Sequence, residues 1–460
     1  MTDLEKNILK AEILLKIQVT SKKVRSLSHE TFPTLGPRKI LQLCTRILEQ
    51  LKNRFETYSL NQMVLLKTGI LKLIIDLVSC IEYSTIKNVT WSIIPAYNRL
   101  FKSLLDDIEY IIVPQWEENY SIRNKNIIDD FKKWLYTPNL LDTDVNEEII
   151  NKIMKDIPSQ IYLVKYSRLE KLSALHLALL GHEIGHIFAS RWIDDNYLDF
   201  TRETGLSAVL EEIVLKELKN ENLENDMFVD IEKDKKLTAY HNLIKKNYSE
   251  LLSDIFGCAL FGHTYIIAIY LFSSIMADLN ESHWQGGYLS WRFRLQNCEQ
   301  FISFILRQYP AKKNNYPLYD NICSTISGNI SDRNAHEVCN LLIATFRMKE
   351  EEIFDEICKY TKTQLFINLI DEEQINTAID RLEHGIIPNA MLKDKSEYPI
   401  DIRNILYAIW LVSYKEGEPN IKLLSKRIQF YNLLGIKGIE LSVEQEEFND
   451  FIRRKAIRKA

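Results

Sequence analysis

The chain has 460 residues, of which 58 are Lys or Arg and 63 are Asp or Glu, so its formal net charge is -5. Hydrophobic residues make up 46% and charged residues 26% of the chain, which is typical of globular proteins and excludes disordered, collagen-like and small disulfide-rich chains. The acidic balance provides no positive field for nucleic acid, so no nucleic-acid partner is expected. The 14 Gly and 11 Pro are few for this length, which favours long helices and few tight turns.

The cysteines and the N-terminus indicate the compartment. The seven cysteines are odd in number and include no C-x-x-C pair, which argues against a disulfide framework and favours a reducing environment. The first ten residues carry charge early and have no apolar core, unlike a secretory signal. We therefore expect an intracellular, cytoplasmic protein.

One apolar run, residues 255–277, is long enough to span a bilayer. Acidic residues flank it, and no cluster of Lys or Arg lies on either side. We therefore expect a buried core helix or helix pair at this position. A membrane segment is the alternative.

The predicted elements follow in chain order. Apolar residues at three- and four-residue spacing predict a helical N-terminal domain over residues 1–105. Two β-branched and aromatic runs, 110–116 and 160–166, predict short strands, and a proline in the first suits a sheet edge. A long helix follows, so we predict a small sheet on which it packs, in a central domain over 106–306. Helical patterning continues in a C-terminal domain over 307–460. The predicted fold class is mainly α with a small β-sheet (α+β).

The central domain contains the pattern H-E-x-x-H at His182, Glu183 and His186. Two histidines four residues apart lie on one face of a helix, and both imidazoles can bind a single Zn2+. Glu183 lies on the same side and can take a proton from a water molecule at the metal. A catalytic zinc site needs a third protein ligand. Glu250 and Asp254, again four residues apart on a helical pattern, offer one carboxylate for the metal and one to orient a ligating histidine.

These two motifs together resemble the gluzincin metallopeptidases, the thermolysin-like group, in which H-E-x-x-H is followed by E-x-x-x-D on the next active-site helix. The string ELLSDIFG, residues 250–257, is similar to the thermolysin form of the second motif. The resemblance covers residues 160–260. The spacing between the motifs is longer than in thermolysin itself, and Ser249 stands where an Asn is usual.

The resemblance implies a zincin-like catalytic domain between helical N- and C-terminal domains. It also implies that the run 160–166 is the sheet edge that aligns an extended peptide substrate. The implied roles are zinc ligands for His182, His186 and Glu250, the base for Glu183, and the carboxylate behind His182 for Asp254.

Peptide hydrolysis also needs a donor for the negative charge that develops on the scissile carbonyl oxygen. Many metallopeptidases of this class place a His or Tyr after the third ligand, often with an Arg further on. Our first choices are His283 and Arg292, which lie in a glycine-containing, aromatic segment. The alternates are His263, Tyr265 and Tyr288.

The sequence thus predicts an intracellular zinc metallopeptidase that acts on a protein or peptide. No propeptide is evident, so we expect the flanking helical domains to restrain the site by selecting substrates or by sensing a regulatory partner. Such gating suggests a bacterial defence or toxin-like protease, by analogy. Three alternatives stay open: a helical sensor or interaction protein with a structural or inactive zinc site, a single-span membrane-associated zinc protease, and a metal-dependent hydrolase of another substrate class.

Overall fold

The computed structural model divides into two compact units, Met1–Lys171 and Leu172–Ala460. Helices dominate both units, and strands are short, which confirms the predicted mainly helical fold with a small β component. The three-domain division at residues 105 and 306 stays a prediction. The structure describes residues 3–89, 94–104, 109–115, 121–125, 127–135, 161–167, 173–220, 229–276, 289–313, 337–394, 396–414 and 420–457.

The first unit combines helices with a three-stranded sheet. Its helices are α1 (Asp3–Ser28), α2 (Gly36–Asn53), α3 (Leu60–Thr68), α4 (Ile70–Tyr83), α5 (Ile94–Leu104) and α6 (Ile127–Leu135). Its strands are β1 (Glu109–Gln115), β2 (Ser121–Lys125) and β3 (Ile161–Ser167). A capping box begins α3, where Ser59 and Gln62 satisfy each other's backbone N–H groups.

The strand order β1-β3-β2 puts β3 in the middle of this sheet, parallel to β1 and antiparallel to β2. Pro114 lies on β1, which is an edge strand as the sequence predicted. The run 160–166, by contrast, supplies the central strand. The expectation that it forms a substrate-aligning edge is therefore wrong, because neighbours on both sides already use its backbone hydrogen bonds.

Aliphatic side chains join the helices of the first unit to its sheet in one core. Ile17 of α1, Leu48 of α2 and Ile74 of α4 are almost fully buried, as are Ile111 and Leu163 of the sheet. Burial of each such side chain contributes about 1.5–3 kcal/mol. The amphipathic spacing of these helices thus explains why they cover the sheet.

The second unit is an assembly of helices with one β-hairpin. Its helices up to residue 313 are α7 (Leu179–Glu203), α8 (Leu206–Asn220), α9 (Val229–Phe261), α10 (His263–Met276), α11 (Trp291–Gln308) and α12 (Pro310–Lys313). Its later helices are α13 (Glu337–Thr361), α14 (Phe366–Leu369), α15 (Glu372–Glu383), α16 (Ile402–Ser413) and α17 (Ile421–Ile457). The hairpin pairs β4 (Ala390–Lys393) with β5 (Ser396–Pro399).

Residues 255–276 of the apolar run form parts of two helices. α9 ends at Phe261, α10 begins at His263, and Gly262 between them has a φ of 58°, a left-handed conformation that favours glycine. Residues 255–261 are buried within the second unit. Among the described residues, no helix combines the length and the apolar character needed to cross a membrane. The expectation of a buried helix pair is therefore confirmed.

Glycines allow α7 and α9 to approach each other closely. A Cβ atom at Gly185 of α7 would lie 2.7 Å from the Cα atom and 2.8 Å from the carbonyl oxygen of Ser253 on α9. A Cβ atom at Gly257 of α9 would lie 2.5 Å from the ring of Tyr265 on α10. Only glycine fits such contacts. The three helices can therefore bring polar side chains together at one place.

A buried arginine on α16 supports the end of α9. Arg403 donates from Nε to the carbonyl oxygen of Leu260 at 2.6 Å, and its Nη1 lies 3.2 Å from Asp401 Oδ2. The last carbonyl groups of a helix have no partner within the helix. Arg403 satisfies one of them and so ties α16 to the helix that carries the second motif.

Candidate metal centre

The ligand atoms of His182, His186 and Glu250 lie within 4.8 Å of one another. His182 Nε2 lies 3.5 Å from Glu250 Oε2, and His186 Nε2 lies 3.9 Å from Glu250 Oε1. Ligand atoms at about 2.0–2.1 Å from a tetrahedral zinc ion lie about 3.3 Å from one another. The three side chains therefore form a candidate metal-binding group of about the size of a zinc site. Within the described ranges, no other group of His, Cys, Asp and Glu side chains has this geometry.

The two helices present these donors at a partly open edge. The imidazole rings of His182 and His186 lie one turn apart on α7, with ring centroids separated by 4.6 Å and planes at 80°. Their side chains are 13% and 23% exposed, and that of Glu250 on α9 is 18% exposed. An edge of this kind gives a metal ion and a water molecule access to the donors.

Asp254 holds His182 from the side away from Glu250. Its Oδ1 atom lies 2.8 Å from His182 Nδ1. An ionised carboxylate only accepts hydrogen bonds, so Nδ1 carries a proton and donates it to Asp254, and Nε2 is the ring nitrogen that faces Glu250. Burial lowers the pKa of His182, but the hydrogen bond and charge of Asp254, with the charges of Glu250 and Glu183, outweigh burial and raise it.

Two serines of α9 orient His186. Ser253 Oγ lies 2.9 Å and Ser249 Oγ 3.1 Å from His186 Nδ1. The Ser253 hydroxyl donates to the carbonyl oxygen of Ser249 at 2.6 Å, so its own oxygen accepts a hydrogen bond from Nδ1–H. The lone pair of His186 is therefore on Nε2. Burial, and after it the charge of His182, lowers the pKa of His186 to about 4, which favours the neutral form that binds metals.

Arg294 of α11 pairs with two carboxylates of α9, Asp254 and Glu250. Its Nε donates to Asp254 Oδ2 at 2.5 Å and its Nη2 to Asp254 Oδ1 at 2.9 Å. The same Nη2 lies 3.1 Å from Glu250 Oε2. Burial raises the pKa of the Asp254 carboxyl, but the charge of Arg294 more than offsets burial and holds this pKa well below its usual range. Arg294 therefore keeps the Asp254 carboxylate ionised.

Tyr265 of α10 supports Asp254. Its hydroxyl donates to Asp254 Oδ1 at 2.6 Å and lies 3.3 Å from His182 Nδ1. Burial raises the pKa of this fully buried phenol well above its usual value, so the hydroxyl keeps its proton. It lies beside Nδ1, the ring nitrogen opposite to Nε2. This position suits a residue that orients Asp254.

The remaining residues that the sequence singled out are placed as follows. Glu183 lies on α7 and is 3% exposed. Arg292 is the second residue of α11 and half-buried, and its role at the oxyanion stays a prediction. His263, at the start of α10, is fully buried, and burial lowers its pKa to about 3. His283 and Tyr288 lie outside the described residues.

Sequence reasoning missed two residues of the site, Arg294 and Ser253. Arg292 and Arg294 stand in the same segment, and only the packing of α11 against α9 shows which arginine meets the carboxylates. Ser253 did carry a signal, because it lies three residues after Glu250 and so on the same face of α9. A search for hydroxyl groups at that spacing would have found it.

Neither protein-family models nor curated proteins nor solved structures show a match to this chain. The candidate metal centre therefore depends on its own donors and their geometry. The Nε2 atoms of two imidazoles and one carboxylate converge on it, and Asp254 and Ser253 contact the Nδ1 atoms on the far side of the two rings. Such a donor set suits a zinc ion.

Proposed function

We propose that the protein is a zinc-dependent peptidase in which His182, His186 and Glu250 hold the ion. The main support for the proposal is the orientation of the two imidazole rings. Asp254 contacts Nδ1 of His182, and Ser253 contacts Nδ1 of His186. The Nε2 atoms of both rings are thus available beside Glu250. Three protein ligands of these types are typical of catalytic zinc sites, which keep one position for water. The resemblance to the gluzincin motifs supports the same assignment.

Glu183 is the general base of the proposed reaction. A zinc ion held by these residues would act as a Lewis acid, which lowers the pKa of a bound water molecule and polarises the scissile carbonyl group. Glu183 takes the proton of the attacking water and delivers it to the leaving amine. Its proximity to the ligands is reflected in its contribution to the raised pKa of His182. His283, assisted by Arg292, is proposed to stabilise the developing oxyanion.

Turnover of a mixture of fluorogenic peptides by zinc-loaded protein tests this proposal. Glu183→Gln should retain one zinc ion per chain and lose turnover by about 100- to 10,000-fold, because it removes the base and leaves the ligands. Glu212→Gln, at an exposed position of α8, is the matched control and should retain full turnover. Retained turnover in Glu183→Gln would show that another group transfers the proton.

The substrate is proposed to be a protein, with the helical regions that flank the site selecting it or responding to a regulatory partner. Profiling of new protein N-termini in cells that express the wild type or Glu183→Gln identifies it. Cleavage products should appear only with the wild type. Tightly bound zinc without turnover on any peptide would instead assign the site to a structural role in a helical interaction protein.

A further inference from the structure

The last helix, α17, is apolar on two opposite faces. One face is buried within the second unit: Ile439 and Val443 are at most 2% exposed, and Asn432 Oδ1 accepts a hydrogen bond from the backbone N–H of Ala174 at 2.7 Å. The other face carries large apolar side chains that the described part of the structure leaves 45–62% exposed. We call this face the C-terminal stripe, and its members are Leu423, Phe430, Leu433, Phe448, Phe451 and Ile452.

The C-terminal stripe consists of two groups of apolar side chains, residues 423–433 and residues 448–452. Spacings of three, four and seven residues keep the members of each group on the same side of the helix, and 15 residues separate Leu433 from Phe448 between the groups. Three of its six members are phenylalanines, and Phe448 is 62% exposed. Together the two groups leave on the order of 600 Å² of apolar surface in water, about half of it in each group. Apolar surface of this extent on one side of a helix favours an interaction surface.

The order of residues along the stripe is self-complementary. Two copies of α17 can pair antiparallel about a two-fold axis that passes between Glu440 and Leu441. Each residue then lies opposite the residue of the other copy that is equally far from the axis along the helix. Phe430 of one copy then lies level with Phe451 of the other. The same axis sets Leu433 level with Phe448, so four of the six members of the stripe have an apolar partner, whereas Ile452 lies level with Gln429.

The charges within the stripe follow the same symmetry. Lys437 and Glu444 lie between the apolar residues, and both are exposed. In the antiparallel pair, Lys437 of one copy lies opposite Glu444 of the other. A parallel pair in register would instead oppose Lys437 to Lys437 and Glu444 to Glu444, which is repulsive. The charges therefore favour the antiparallel pair over the parallel one.

We propose that the C-terminal stripe is the interface of a homodimer in which the α17 helices of two copies pair antiparallel. The two-fold arrangement is isologous, so the same patch serves both copies. About 600 Å² of apolar surface per copy, with the polar groups beside it, approaches the roughly 800 Å² per partner of a stable interface.

Light scattering coupled to size-exclusion chromatography tests the dimer. The full chain should elute with about twice the 54.0 kDa mass of one chain. Phe448→Ser combined with Phe451→Ser should give a monomer with unchanged helical circular dichroism and zinc content. Leu198→Ser, which changes an exposed leucine on α7, is the matched control and should remain dimeric. A monomeric wild type at tens of micromolar, or a dimer that survives the double phenylalanine change, would overturn the proposal.

Charge reversal tests the antiparallel register. At low ionic strength Lys437→Glu or Glu444→Lys alone should weaken the dimer by at least about tenfold, because each sets like charges level with each other. The double reversal should restore the wild-type affinity. Single reversals without effect, or a double reversal that fails to restore the dimer, would refute this pairing. Binding of a monomeric wild type to anionic phospholipid vesicles would refute it as well and assign the stripe to a membrane surface.

Discussion

Replacement of Gly185 by alanine probes the contact between α7 and α9 that aligns the metal ligands. The added Cβ atom would lie 2.7 Å from Ser253 Cα and 2.8 Å from Ser253 O, both backbone atoms that cannot rotate away. Carbon atoms pack at about 3.5–4.0 Å, so α9 must move by about 1 Å. Metal–ligand distances tolerate only about 0.2 Å. The shift should therefore move Glu250 out of reach of an ion held by the two histidines.

The stability of this variant should change much less than its zinc affinity. Overpacking costs about 1–3 kcal/mol, and the better helix propensity of alanine returns about 1 kcal/mol. The net loss in free energy of unfolding is then about 0–2 kcal/mol, whereas zinc affinity should fall by at least about tenfold. Urea unfolding and competition with a chromophoric zinc chelator measure the two quantities.

Gly181→Ala is the matched control, one turn earlier on α7. There the nearest atoms to the added Cβ are ring carbons of Phe261 at 3.0 Å, and the nearest backbone atom is Gly257 Cα at 3.2 Å. Shifts of a few tenths of an ångström relieve these contacts, so the loss of zinc affinity should be smaller than in Gly185→Ala. Wild-type zinc affinity in Gly185→Ala would refute the idea that this helix contact sets the ligand geometry.

Three further changes test the groups behind the ligands. Ser253→Ala should lower zinc affinity about 10-fold, because His186 Nδ1–H loses the nearer of its two serine neighbours, whereas Ser207→Ala at an exposed site of α8 should leave the affinity unchanged. Arg294→Leu should lower the free energy of unfolding by about 3–5 kcal/mol in urea titrations, since it leaves Asp254 buried without its cation, and a loss below 1 kcal/mol would contradict this role. Tyr265→Phe should cost about 0.5–1.5 kcal/mol through loss of the hydrogen bond to Asp254, with the ring packing kept; an unchanged free energy of unfolding would refute that contribution.

The sequence could predict which site residues share a helix face, because the spacing of residues along a helix determines this. His182 and His186 are four residues apart, and so are Glu250 and Asp254, so each pair shares a helix face whatever the tertiary structure. Hydrophobic periodicity likewise predicted the mainly helical fold. The run 255–277 was expected to be buried, and the structure confirms this for residues 255–269, which belong to two helices that meet at Gly262.

The parts that sequence reasoning missed depend on contacts between elements. Ser121–Lys125 pairs as a strand although Ile122 is its only large apolar residue, so its pattern could not show that β3 is central. The choice between Arg292 and Arg294 depends on how α11 rotates against α9. The role of Gly185 appears only when the backbone of Ser253 is seen beside it. None of these features has a local signature.

His182, His186 and Glu250 are proposed to bind one zinc ion per chain. Titration of the metal-free full chain with Zn2+, beside a variant that combines His182→Ala with His186→Ala, measures this binding directly. We expect one tight site in the wild type and none in the variant, with both proteins folded by circular dichroism. The absence of a tight site in the wild type, or equal zinc binding by the variant, would show that these residues do not form the zinc site.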